Sequence, residues 1–335
     1  YIEGQLIGAV SYALGSFTTE AIAGITPIKE MVDAVSFPTR RAPMNSVALH
    51  LPMSPERLLE IFRGTLHRIS SYTLHSRDAL LAQGQLSSVR HAGTMLRPIG
   101  TPLNMSGFDA HVTGLLSSAL EGTGMTPVLG GSQEANTSLA STPLRPGDAV
   151  SVTLIDGDLS LAGTGTVTMI DEDRVYAFGH QFQNLGPVEF LMNRAHVHTL
   201  LPSLMSSSKI ASVGEAIGTF QQDRLTGIAG TLGTTPRRIP IEITLRPIDS
   251  SRPTQNLHFN IVDDQALTPL LTFVTVLNTL RAYERDAGAA TFTVSGTATF
   301  QNHTPLTFND VFSGIAPALA AATSVLTPIT FLVQN

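Results

Sequence analysis

Between residues 148 and 182 short apolar runs alternate with acidic turns, and this pattern constrains the chain more than any other stretch. Val150 to Ile155 and Leu159 to Ala162 flank Asp156-Gly157-Asp158, a strong hairpin signal. Thr164 to Ile170 and Arg174 to Phe178 flank Asp171-Glu172-Asp173, a second turn. Antiparallel strands at this spacing predict a barrel or a sandwich. The last run ends in RVYAFGHQF, Arg174 to Phe182, where Gly179 allows a turn without a Cβ clash and His180 follows at once. A rigid strand that presents an imidazole titrating near neutral pH is a way to place a general base. Asp171 and Asp173 belong to the far end of that hairpin, so they read as solvated turn acids, not as partners of His180.

Composition narrows the function classes. The chain has 335 residues, 42% hydrophobic and 14% charged, enough for two or three domains with proper cores. A net charge of −6 argues against nucleic acid as the main partner. The absence of cysteine excludes disulfides, Cys-type zinc sites and a cysteine nucleophile. No eighteen-residue apolar run stands out, so no membrane span is expected. The first residue is not Met, and both ends read as strands under way, which predicts a piece of a longer chain.

Three ordered segments carry a family resemblance. They are LRPGDAVSVTLIDGDLSLAGTGTVTMIDEDRVYAFGH from Leu144, NLGPVEFLMNRAHVHTLLPSL from Asn184 and KIASVGEAIGTFQQDRLTGIAGTLG from Lys209. Together with the opening YIEGQLIGAVSYALG, they resemble the peptidase domain of the SpoIVB family of serine peptidases. The resemblance spans roughly half the chain. It departs from the family at Gln181, where proline is usual. The family's nucleophile lies in a Gly-Met-Ser-Gly-Ser-Pro segment just ahead of the strand that begins here at Tyr1, and that segment is not in this sequence.

The resemblance implies a chymotrypsin-like double β-barrel that hydrolyses peptide bonds, with His180 as general base and a serine upstream of Tyr1. Residues 7–12 would then line the substrate cleft, although a plain core hairpin is the simpler reading of them. The resemblance further implies a peptide or protein substrate, no cofactor, and an exported, bacterial cell-envelope location. It allows a homo-oligomer, or association with a cleaved N-terminal segment. The rival expectation is a non-catalytic structural or assembly module on a peptidase-like fold.

Two further residues enter as site candidates. Asp223, in QQDRLTG, could orient the imidazole, pair with Arg224 or cap the turn before Gly227; the structural readings rank ahead. Ser106, in Met105-Ser106-Gly107, echoes the nucleophile motif but reads better as the N-cap of a following helix. His196 and His198 share one strand face, a spacing open to a metal with His180 or an acid, though a polar strand face is the simpler reading.

The remaining chain predicts a mainly β fold with helical insertions (α+β). Residues 1–35 give N-terminal strands completing the barrel. Residues 36–125 form a helical or mixed insertion, with helices from Ser54 to about Leu81 and from Asp109 to Leu120. Residues 126–238 hold the barrel half with His180, preceded by a Gly/Ser/Thr/Pro-rich linker. Residues 239–335 predict an α+β accessory domain. Its strands span Ile239 to Pro247, Leu257 to Val262 and Thr291 to Phe300, and its helices run from Thr268 to Arg285 and from Asn309 to Pro328.

Overall fold

The structure, a computed structural model, describes residues 2–14, 23–36, 53–54, 56–66, 96–130, 142–201, 208–248, 253–282 and 289–334. The two acidic turns do make hairpins. β6 (Ala149–Gly157), β7 (Ser160–Asp171) and β8 (Arg174–Ala177) run as an antiparallel meander. Residues 159–162 and 164–170, read separately in the sequence, form the single strand β7. A second meander follows: β9 (Gly186–Leu201), β10 (Ser208–Arg224) and β11 (Gly227–Leu232). β11 pairs with β8 and β9 pairs with β6. The cycle β6-β7-β8-β11-β10-β9 therefore closes on itself, and every neighbouring pair is antiparallel. Closure of this kind removes the exposed edges that an open sheet must otherwise protect.

The barrel is extended at two places. β13 (Gln255–Val262) pairs with the end of β6, and β12 (Arg238–Leu245) pairs with β13. The acids of the first turn are used for this. Asp156 accepts from Arg238 and from Asn260 Nδ2, and Asp158 Oδ2 accepts from the His258 backbone N–H at 2.7 Å. On the other side β4 (Thr101–Ser106) pairs antiparallel with β7 and parallel with β5 (Met125–Leu129).

The expected accessory domain is not separate. α4 (Thr268–Arg281) is buried almost all round, and Phe273 stacks on Phe62 of α2 (56–66) with ring centres 6.0 Å apart. Leu154 and Val150 of the barrel, Val112 and Leu116 of α3 (Ala110–Ala119), and Leu271 and Leu277 of α4 belong to one apolar core. Asn278 locks α4 to α3: its Oδ1 accepts from the Asp109 N–H, and its Nδ2 donates to the Gly107 carbonyl.

The C-terminal end also differs from expectation. Asn309 and Asp310 do not start a helix. They lie inside β15 (Leu306–Gly314), which pairs with β14 (Ala290–Ala298) over nine register positions. α5 (Pro317–Gln334) starts later and runs through Pro328 instead of ending there. α5 is the one described helix long and apolar enough to cross a membrane, which corrects the expectation that none would stand out; half of that window is buried inside the fold.

The N-terminal strands do not complete the closed barrel. β1 (Gly8–Leu14) is the centre of a three-stranded sheet, with β2 (Ala23–Pro27) and β3 (Leu96–Pro98) on either side. The helix that follows β2 is α1 (Ile28–Ser36). Its Ile28, Met31, Val32 and Val35 recur at helical spacing. They pack with Ala9 on Tyr176, Ala229 and Met169 of the barrel, a small second core that docks the N-terminal sheet.

A single core predicts shared stability. Phe273→Ala should cost about 3–5 kcal/mol, the range for a fully buried Phe. Amide exchange should show the loss equally in β6 and in α5. A loss confined to α4, α5 and the β14–β15 hairpin would mean that residues 239–335 fold by themselves.

Candidate functional site

β7 cannot keep all its neighbours. One edge is held by β6 from Leu161 to Thr166. The other edge pairs with β4 as far as Gly163 and with β8 only from Val167 onward. Between them, among the described residues, the ladder on that edge has no partner strand at Thr164 and Gly165. A cavity of about 420 Å³ opens there. Thr164 to Thr168 of β7 form one side, Gly8 to Val10 of β1 another, and Ile99 to Pro102 a third.

His180 lines this cavity beside Phe178 and Lys209. β8 delivers it through a strained turn. Phe178 has φ +70°, and the Gly179 N–H donates to the Ala177 carbonyl at 2.9 Å, a γ-turn with positive φ at its centre. Such a φ is unusual for a bulky side chain and costs of order 1–3 kcal/mol. Three edge-on aromatic contacts hold it: Phe178 meets His180 at 5.8 Å, Phe182 at 6.2 Å and Phe220 at 6.5 Å between ring centres. Gly179 follows at φ +75°, and a Cβ there would lie 2.3 Å from the Ala9 Cβ and 2.7 Å from Ser11 Oγ. The glycine thus lets the histidine turn press directly on β1.

The His180 side chain is 6% exposed. Its Nδ1 lies 2.8 Å from the Gln181 carbonyl oxygen. A carbonyl only accepts, so the neutral ring carries its proton on Nδ1 and leaves Nε2 as the basic atom. Burial pulls the imidazole below its ordinary value; the Gln181 carbonyl opposes this, and the nearby Lys209 ammonium lowers it further.

Asp223 is fully buried but does not orient the ring directly. Its Oδ1 accepts from the Phe182 N–H at 2.8 Å, and its Oδ2 accepts from Gln183 at 2.7 Å and Leu185 at 3.1 Å. The carboxylate clamps the backbone of the loop that leaves His180. None of these bonds caps the turn before Gly227, while the Asp223 carboxylate acts through its charge on the neighbouring Arg224 guanidinium. Burial pushes the Asp223 carboxyl up to about 6, against the backbone donors that hold it down.

Ser106 does not cap α3, and it is not among the described residues that line the His180 cavity. It is the last residue of β4, paired with Ser160, at the end remote from the cavity-lining Thr101 and Pro102. The cap of α3 is Asp109, whose carboxylate accepts from the Val112 N–H. His196 and His198 meet edge-on at 4.8 Å between ring centres on β9, and His198 Nε2 meets Ser212 Oγ. Among the described residues no three His, Asp or Glu side chains gather closely enough to hold a metal.

Lys209 was missed in the sequence. It is one of two lysines in the chain, which is a compositional signal, but nothing local ties it to His180. The barrel brings them to one cavity. Comparison of the chain with protein-family models, curated proteins and solved structures finds no match.

The clamp is testable through pH. A carboxyl whose folded value is raised from 3.8 to about 6 binds its proton more tightly folded than unfolded. Its contribution is complete below the unfolded value and is lost as pH rises through about 6, in total roughly 3 kcal/mol. Denaturant titrations should show that slope in the wild type and a flatter one in Asp223→Asn. In the same variant the Phe182, Gln183 and Leu185 amides should exchange about tenfold faster or more. Identical slopes and unchanged protection would remove Asp223 from this role.

Proposed function

We propose that this chain is the histidine-bearing part of a serine endopeptidase of the SpoIVB type, with His180 as general base and the nucleophilic serine upstream of Tyr1. The observation that carries the reading is the cavity between His180 and β1. The resemblance puts the nucleophile just ahead of the β1 region, and β1 contributes Gly8, Ala9 and Val10 to the cavity that His180 lines. In this reading the closed barrel is one half of a chymotrypsin-like double barrel, and the β2-β1-β3 sheet belongs to the other half. The open edge of β7 at Thr164–Gly165 suits an extended peptide, which can add to an unpaired strand edge through its main chain.

The chemistry follows from the tautomer. The serine Oγ attacks the scissile carbonyl carbon while Nε2 of His180 takes the hydroxyl proton. The tetrahedral adduct collapses, the C–N bond breaks, and the imidazolium returns that proton to the leaving amine. Water then hydrolyses the acyl-enzyme with the same base. Backbone N–H groups of the segment ahead of Tyr1 would hold the oxyanion. No cofactor takes part. The Gln181 carbonyl fixes the ring as a triad acid would, without a negative charge to stabilise the imidazolium.

That neutral partner, and Gln181 in place of the family's proline, are what favour the second reading, a non-catalytic assembly module. The whole gene product, with whatever precedes Tyr1, should separate the two. An activated serine should react with a fluorophosphonate probe, and His180→Ala should slow labelling by about a thousandfold or more. Because His180 is pulled below its ordinary 6.5, the acid limb of kcat/KM should have its midpoint below that value. Absence of labelling in the folded wild type, or equal labelling in His180→Ala, would favour the module.

A further inference from the structure

Lys209 sits on β10 near its start, reaches the cavity and donates from Nζ to Thr166 Oγ1 at 2.6 Å. It forms no ion pair with any described carboxylate. None of the described residues lining the cavity is acidic; that lining is otherwise apolar, glycine or threonine, apart from His180. An ammonium of three donors, with one given to Thr166, keeps others for a ligand. A cation withdrawn from water without a counter-charge is costly, and the natural compensation is an anion delivered by what binds. Among the described ion pairs arginine supplies most of the cations, and the other lysine, Lys29, pairs with Asp33. Lysine here supplies a compact point charge on a flexible stem, suited to a narrow cavity.

We propose that Lys209 makes this cavity a carboxylate-binding subsite, so that the bound peptide presents either an acidic side chain or its own C-terminal carboxylate beside His180. The occupant's main chain lies along the open edge of β7, and its carboxylate accepts from Nζ in place of water. Thr166 holds the ammonium in position. This rests on the peptide-binding part of the reading above, but it does not require that the peptide be cut.

Binding of fluorescent peptides, followed by anisotropy at neutral pH, tests it without reference to cleavage. Three peptides of one backbone suffice: one with an internal Glu and an amidated C-terminus, one with Gln there and a free C-terminus, and one with Gln and an amidated C-terminus. At least one carboxylate peptide should bind about tenfold or more tightly than the uncharged one. The arm that gains identifies the side chain or the terminus as the source. Lys209→Met should abolish that preference, so that the variant binds all three peptides equally, and a wild-type melting temperature checks that the variant is folded. His180→Ala should keep the preference. Equal affinity for all three peptides, no binding of any, or a preference that survives in Lys209→Met would overturn the inference. A carboxylate preference without fluorophosphonate labelling would uphold the subsite and defeat the peptidase; labelling without preference would do the reverse.

Discussion

A strand has two edges, and β7 has three partner strands. β6 occupies one edge, so β4 and β8 must share the other and part from each other along it. In a closed antiparallel barrel backbone groups find partners by default, and an opening arises only where a neighbour leaves. β8 leaves by the turn at Phe178, and β4 has diverged by Thr101. The cavity, the unpaired Thr164–Gly165 edge and the direction of His180 all follow from that divergence.

The turn that makes the opening is strained, and its retention has identifiable causes. A positive φ at phenylalanine costs of order 1–3 kcal/mol. Three edge-on aromatic contacts, each about 0.5–1.5 kcal/mol beyond burial, are of the size needed to offset it. The rings need room: a Cβ on Gly165 would stand 2.3 Å from the Phe178 ring, and one on Gly163 would stand 2.5 Å from the Phe182 ring. Beyond His180 the Asp223 carboxylate fixes the backbone from Phe182 to Leu185. The imidazole is therefore held between an aromatic anchor before it and an ionic anchor after it.

This explains what sequence reading reached and what it did not. The acidic turns and the histidine were legible because turn chemistry is local and Gly-His follows a short apolar run. Gly163 reads as a break between strands, yet it and Gly165 serve ring packing across the barrel. Asn309-Asp310 has the composition of a helix cap, but nine cross-strand pairs with Ala290–Ala298 override that local preference. The roles of Asp223 and Lys209 depend on partners 38 to 43 residues away, and no spacing rule spans that distance.

The electrostatics of the cavity tie its two charged candidates together. Lys209 is among the causes that lower His180, so at rest the imidazole is a weaker base than its ordinary value implies. A carboxylate seated on Lys209 would neutralise that field and add an opposite charge near the ring, which raises the proton affinity of Nε2. By linkage, the protonated ring would in turn bind the carboxylate more tightly. A site built this way is least basic when empty and gains basicity when the matching anion arrives. On this proposal a half-buried lysine without a described counter-ion is not a defect of the packing. It would leave the last charge of the site to the ligand and make the histidine's chemistry conditional on what occupies the cavity.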